Sequence, residues 1–168
     1  MRQRLDAEIA TVLGGRAPTV DDLPRLAYTR MVIDEALRLY PIIPTGGFEA
    51  VGEDVVCGLP VAPGDRVTVS PWLVNRHRSL WPDPDLFIPE RFSPERRASI
   101  PRFAYIPFGA GPRICIGAGF AVTEMVAIVA TLAQRFAPRV VPGHPIEAMS
   151  RGHVVPRYGM PMLLEHRR

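Results

Sequence analysis

Between Phe108 and Phe120 the chain reads Phe-Gly-Ala-Gly-Pro-Arg-Ile-Cys-Ile-Gly-Ala-Gly-Phe, which sets one thiol, Cys115, among glycines just ahead of an apolar helical pattern. Gly109, Gly111 and Gly117 permit backbone angles closed to other residues and let a flat body come close, and Pro112 stiffens the turn between them. Four chemistries suit an isolated cysteine. Zinc would need paired ligands, and His77, His144, His153 and His166 show none of the usual spacings, nor does a second cysteine lie within four residues. A cysteine nucleophile would need a histidine base brought up by the fold, and Ile114 and Ile116 make its setting apolar rather than aqueous; that reading stays open. A dinucleotide loop would need a preceding strand and a third glycine at another spacing. A haem-thiolate site accounts for more residues. A thiolate at the amino end of a buried helix is stabilised by the free amides and the dipole there. Gly117, Ala118 and Gly119 are small enough for a macrocycle to lie against that helix, and Arg113 stands within reach of a propionate. Thiolate ligation pushes electron density onto iron and favours cleavage of the oxygen–oxygen bond.

A second pattern is Glu35-Ala-Leu-Arg38, an acid and a base at i, i+3 on one helix face. Such pairs are usually solvated and contribute little. Leu37, Leu39 and Tyr40 leave little polar surface in this turn, so the spacing predicts a partly buried pair that needs further partners.

The elements that must position these residues follow from periodicity and punctuation. Leu5, Ile9, Val12 and Leu13 predict a short amphipathic helix ending at Gly14-Gly15. Thr19-Val-Asp-Asp reads as a capped start to a second helix running through about Tyr40 and closed by Pro41. Residues 42–70 predict the strands of a small sheet at Asp54–Gly58, Leu59–Val61 and Arg66–Ser70, with a turn at Pro63-Gly64-Asp65; Cys57 reads as a small core residue without a chemical role. Pro71–Arg78 is a short helix or turn, and Trp81–Phe92 is too proline-rich for a regular element and predicts an ordered meander. From Gly117 through Phe136, Ala121, Met125, Ile128, Val129 and Leu132 recur in a nearly all-apolar segment, which predicts a long buried helix. Val140-Val-Pro and Met160–Glu165 read as closing strands, with Gly152–Gly159 as a hairpin turn.

Composition bounds the function classes. A chain of 168 residues is one domain or a piece of one. Its 47% hydrophobic and 22% charged residues are those of a globular protein, and no apolar run nears the roughly 20 residues that span a bilayer. The net charge of +3 is carried by arginine alone, scattered among acidic and apolar neighbours, which argues against a nucleic-acid groove. Two cysteines make no disulfide framework, and the mixed-charge amino terminus lacks a signal-peptide core, so a cytoplasmic location is expected.

The Cys115 loop resembles the haem-ligand signature of the cytochrome P450 monooxygenases, its Phe108, Gly109, Gly111, Arg113, Cys115 and Gly117 matching in type and spacing. Glu35 and Arg38 match the paired acid and arginine of the family's K helix, and Pro89-Glu-Arg91-Phe matches the meander motif, in the same chain order. The resemblance implies an α+β, mainly α fold comprising the carboxy-terminal part of that architecture: J and K helices, small β-sheet, meander, Cys loop, L helix and closing strands, over residues 1–168. It implies a b-type haem held by Cys115 as metal ligand, with Phe108, Gly109, Arg113 and Gly117 around it, and a Glu35, Arg38 and Arg91 network bracing the proximal side.

Two positions depart from many relatives: Phe48 stands where an arginine often binds a propionate, and Asn75 where a histidine is common. Ala118–Thr123 superficially resembles the distal oxygen-activating motif, but its threonine is one position late and it belongs to the proximal helix. The distal helix is expected to precede residue 1, so no catalytic residue of the oxygen side is assigned here. The implied whole is a bacterial-type enzyme that inserts one oxygen atom from O2 into a hydrophobic small molecule, fed by a ferredoxin or flavoprotein reductase. Ile42, Ile43 and Pro44 are the stretch expected nearest a substrate pocket. The alternative is an inactive truncated remnant or a non-catalytic haem-binding module joined to a partner chain.

Overall fold

The computed structural model describes residues 1–167. Helix α1 (Arg2–Leu13) buries Ile9 and Leu13 and stops where Gly14 turns left-handed at φ 55°, giving its N–H to the Ala10 carbonyl at 3.0 Å. The helix expected from Thr19 to Tyr40 is instead two elements. A 3-10 turn over Val20–Arg25 is followed by α2 (Ala27–Leu39), with Leu26 outside helical conformation between them. Pro24 accounts for the break: an α-helix through it would lack the hydrogen bond to the Val20 carbonyl and would drive the ring into that oxygen.

Polar side chains seal both starts. The Asp22 carboxylate accepts from the Thr19 N–H at 2.9 Å and hydroxyl at 2.8 Å, and from both terminal nitrogens of Arg16 at 2.6 Å. Helix α2 is capped from another element: Glu8 of α1 accepts from the Tyr28 N–H and from the Thr29 N–H and hydroxyl, the last two at 2.8 Å, satisfying amides that have no partner inside the helix. The Arg16 guanidinium, followed by the Thr19 donors, holds the Asp22 carboxyl well below its ordinary value. A depressed folded-state pKa stabilises above the unfolded value of about 4 and is lost as pH falls through the lower folded value. The denaturation midpoints of wild type and Asp22→Asn are therefore expected to differ at neutral pH and to converge as the solution is acidified below about pH 4; a gap that stays constant on acidification contradicts this.

Helices α1 and α2 pack with α5 (Ala118–Arg135) around Ile9, Leu13, Leu26, Ile33, Leu37, Val122, Val126 and Ala130. The expectation that α5 is buried all round is corrected. It buries Val122, Val126 and Ala130 and packs Met125, Val129 and Ala133 partly buried beside them, while Phe120 is 73% exposed and Ile128 and Leu132 about half exposed. One face meets α1 and α2, and among the described residues no element covers the opposite face. A smaller cluster of Trp81, Phe92 and Ala104 lies under the coil, with Met31 and Tyr105 against it.

The strands form four separate antiparallel pairs rather than one sheet. β1 (Gly46–Glu49) pairs with β4 (Arg66–Val69), β2 (Asp54–Val56) with β3 (Leu59–Val61), β5 (Phe136–Val140) with β8 (Met162–His166), and β6 (Ala148–Ser150) with β7 (Val154–Pro156). Cys57 is not a core residue. It is exposed in the two-residue turn joining β2 to β3, where Cys57 and Gly58 both have positive φ, at 53° and 80°, as a type I′ hairpin requires. The segment expected to be a turn over Gly152–Gly159 contains β7, and the reversal lies ahead of it at Arg151–His153. Two short helices, α3 (Pro71–Val74) and α4 (Pro94–Arg97), are capped by the hydroxyls of Ser70 and Ser93. The meander between them has one 3-10 turn at Pro89–Phe92. The architecture is α+β with small antiparallel ladders.

Candidate functional site

Glu35 sits in the last two turns of α2 with no exposed surface, and neither has Arg38, one turn on. Their contact is bidentate: Arg38 Nε donates to Glu35 Oε2 at 2.7 Å and Nη2 to Oε1 at 2.8 Å. The Arg38 donors left over go to backbone. Nη1 donates to the carbonyls of Asn75 and Pro84, each at 2.7 Å, and Nη2 to that of Leu86 at 3.0 Å. Glu35 Oε1 also accepts from the Ile88 N–H at 2.7 Å and from Arg91 Nε at 3.4 Å, and Arg91 Nη2 donates to the Asp83 carbonyl at 2.6 Å. Burial, opposed by the Glu35 charge and reinforced by Arg38, lowers the Arg91 pKa from the ordinary arginine value.

A buried ion pair of this kind adds little net stability, because desolvation offsets the attraction. What it does here is fix a path. Five hydrogen bonds from Glu35, Arg38 and Arg91 end on main-chain atoms between Asn75 and Ile88, in a proline-bearing stretch that has only isolated turn bonds and no ladder of its own. Asn75 is wholly buried in the same place, its side-chain amide donating to the Arg38 carbonyl at 3.0 Å. It therefore belongs to this brace. Phe48 lies on β1 opposite Val67, about half exposed.

The second part of the site is the Cys115 loop. Gly109 and Gly111 have φ of 78° and 74°, a region that penalises a side chain. The Gly109 N–H donates to the Ile106 carbonyl at 3.0 Å, a 3-10 turn covers Gly111–Arg113, and the Cys115 N–H returns to the Phe108 carbonyl at 3.0 Å, closing the loop. Phe108 packs on the edge of the helical core and pins the closure. Cys115 is exposed, and a Cβ placed on Gly117 would stand 3.8 Å from its Sγ, so that glycine keeps one side of the sulfur clear. The Ala118 N–H donates to the Cys115 carbonyl at 3.2 Å, while the Ile116 and Gly117 N–H groups have no acceptor among the described residues. Ile114, Ile116 and Phe120, on either side of Cys115 in the chain, expose apolar side chains, and Arg113 is exposed without an ion pair among the described residues.

Beyond Pro41, the Ile42 carbonyl accepts from the Val154 N–H at 2.8 Å, drawing the β6–β7 hairpin over this stretch. Pro44, Thr45, Trp72, Met149 and Val154 line an open cleft of about 320 Å³ there. The structure thus brings Glu35, Arg38 and Arg91 into one contact group and Phe108, Gly109, Cys115 and Gly117 into one loop. Sequence reasoning missed Asn75 as part of the brace, Glu8 as the cap of α2, and Tyr105, which leads into the loop. Only Glu8 carried a signal, as the acid among the apolar positions of α1.

A family model described as cytochrome P450 matches residues 1–161. Cyclooctatin synthase of Streptomyces melanosporofaciens is 43% identical over 141 residues, which are 83% of this chain and 30% of that protein. Cyclooctat-9-en-7-ol 5-monooxygenase of the same organism is 43% identical over 143 residues, 85% of this chain and 31% of that one. Protein LUTEIN DEFICIENT 5, chloroplastic, of Arabidopsis thaliana is 36% identical over 155 residues, 90% and 26% of the two chains. The crystal structure of a cytochrome P450 superposes on 99% of this chain with a TM-score of 0.89 and 32% identity, using 38% of its own length. The chain thus spans about a third of the proteins it matches. Since the family model runs over nearly the whole chain and the brace and loop occur in an architecture that superposes so closely, the chain belongs to the cytochrome P450 family.

Proposed function

We propose that this chain supplies the haem-binding part of a haem-thiolate monooxygenase, with Cys115 as the residue that would hold the iron of a b-type haem. The complete protein then inserts one oxygen atom from O2 into a hydrophobic organic substrate. The observation that carries this reading is the setting of Cys115: exposed, its sulfur clear of Gly117, followed by two amides without acceptors and flanked in the chain by exposed Ile114, Ile116 and Phe120. Such a surface suits a flat apolar ring and a sulfur that carries charge. When bound, the haem supplies the oxygen-activating chemistry that thiolate ligation favours.

The chain's own residues do the rest of the proximal work. The Ile116 and Gly117 N–H groups stabilise the thiolate, together with the amino end of α5. Arg113 offers its guanidinium to a carboxylate of the ring, and Ile114, Ile116 and Phe120 exclude water from its face. Glu35, Arg38 and Arg91 hold the coil beneath. The cleft beside Ile42 and Pro44, mostly apolar in lining, suits a hydrophobic substrate, in keeping with the names of the two Streptomyces relatives. Electrons come from a ferredoxin or flavoprotein reductase. No helix among the described residues is long and apolar enough to cross a membrane.

Titrating the chain with haemin and recording its reduced carbon monoxide spectrum tests the ligation. A thiolate-type band is expected. A histidine-type band would rule out Cys115 as the ligand.

A further inference from the structure

Between Ile106 and Gly117 no side chain makes a hydrogen bond or ion pair to any described residue. The loop is closed by its own backbone and pinned by the Phe108 ring. The last polar anchor ahead of the cysteine is Tyr105. Its hydroxyl reaches into α2, donating to Asp34, whose backbone carbonyl lies at 3.1 Å and whose Oδ1 lies at 3.0 Å. Asp34 is 2% exposed, and its other oxygen, Oδ2, accepts from Arg97 Nη1 of α4 at 2.7 Å and from Arg30 Nε at 3.0 Å. The two arginines therefore hold the carboxylate still and leave Oδ1 to the tyrosine. The Tyr105 ring packs on Phe92 with centroids 4.7 Å apart, and Phe92 follows Arg91 of the brace.

We propose that Tyr105 and Asp34 are positioning residues: a clamp between a half-buried tyrosine and a buried carboxylate that sets the Cys115 loop against α2. Asp34 and Glu35 are neighbours with separate duties, since Glu35 fixes the meander and Asp34 fixes the entry to the loop. From the clamp, the Ile106 carbonyl holds the Gly109 N–H and the Phe108 carbonyl holds the Cys115 N–H, so a shift of Tyr105 is passed on to the sulfur's backbone through two short bonds. Burial, followed by the Asp34 charge, raises the Tyr105 pKa, which keeps its hydroxyl a donor across the neutral range. The functional meaning of the clamp rests on the reading of Cys115 as thiolate ligand; the clamp itself does not.

Tyr105→Phe removes one oxygen and keeps the ring on Phe92. Losing a hydrogen bond to a charged acceptor is expected to raise amide exchange at Cys115 about tenfold relative to Leu37 in α2, which serves as the internal reference for global opening. In the haem-loaded chain the same variant is expected to raise the neutral-thiol share of the reduced carbon monoxide spectrum. Arg97→Gln, which leaves Arg30 holding Asp34 and leaves the tyrosine bond, is expected to lower the denaturation midpoint while leaving the Cys115-to-Leu37 exchange ratio near wild type. An unchanged exchange ratio in Tyr105→Phe overturns the clamp, with or without haem. A raised ratio with an unchanged thiolate share overturns its role in ligation. If wild type gives no thiolate band, the reading of Cys115 fails instead, and exchange still decides the clamp.

Discussion

Glu35→Gln is expected to lower the unfolding free energy by about 3–5 kcal/mol, read from the urea midpoint, because it leaves a buried cation without its counter-charge. The glutamine keeps the shape of the side chain and one acceptor oxygen. It cannot neutralise Arg38, which has no exposed surface, and its amide nitrogen would face the Arg38 and Arg91 donors that the carboxylate now accepts. The carbonyls of Asn75, Pro84 and Leu86 still take hydrogen bonds from Arg38, but they carry no net charge. Against a domain stability of about 5–15 kcal/mol, a loss of that size removes much of the folded population at physiological temperature. The comparison is Arg139→Gln, which opens the exposed pair with Glu165 and is expected to cost under about 1 kcal/mol. Similar midpoints for the two variants would mean that the backbone carbonyls suffice for Arg38.

The second large effect is chemical. Cys115→Ser is expected to abolish the thiolate-type carbon monoxide band, while Cys57→Ser keeps it in full. Serine fits the same space, and because the sulfur is exposed the substitution is expected to shift stability by no more than about 0.5 kcal/mol. A serine hydroxyl is a far weaker acid than a thiol, so it offers iron no anionic ligand. Cys57 lies exposed in the β2–β3 turn, away from the glycine loop and from any helix start. Loss of the band in Cys57→Ser, or its survival in Cys115→Ser, would overturn the proposed ligand.

How much of this was legible in the sequence depends on which chemical group carried the information. The Glu35 and Arg38 spacing was readable because helix periodicity alone puts the two on one face. That Arg91 stands beside them followed from resemblance and not from spacing, since 56 residues separate it from Glu35. The carbonyls that receive Arg38 left no trace, because every residue has one. Helix α5 was legible as a helix but not in the extent of its burial: a segment apolar on all sides has little periodic contrast, so nothing marked Val122, Val126 and Ala130 as the buried positions, with Met125 and Val129 packed beside them, or Ile128 and Leu132 as the exposed ones. Cys57 misled because the β-branched residues before it suggested a strand, whereas Gly58 after it allowed a two-residue reversal. The Tyr105 clamp joins residues 71 positions apart that belong to no motif used here.

Arg38 donates its hydrogen bonds to the meander only at main-chain oxygens, those of positions 75, 84 and 86, while the Trp81 ring lies 5.2 Å from its guanidinium carbon. Apart from Trp81 and the buried Asn75, the coil's lettering between those points can therefore change without loosening these bonds, since any amino acid brings the same oxygen. What cannot easily change is the count. One residue added or removed between Asn75 and Leu86 would move the carbonyls off the guanidinium, so this stretch should drift in identity across descendants while keeping its length.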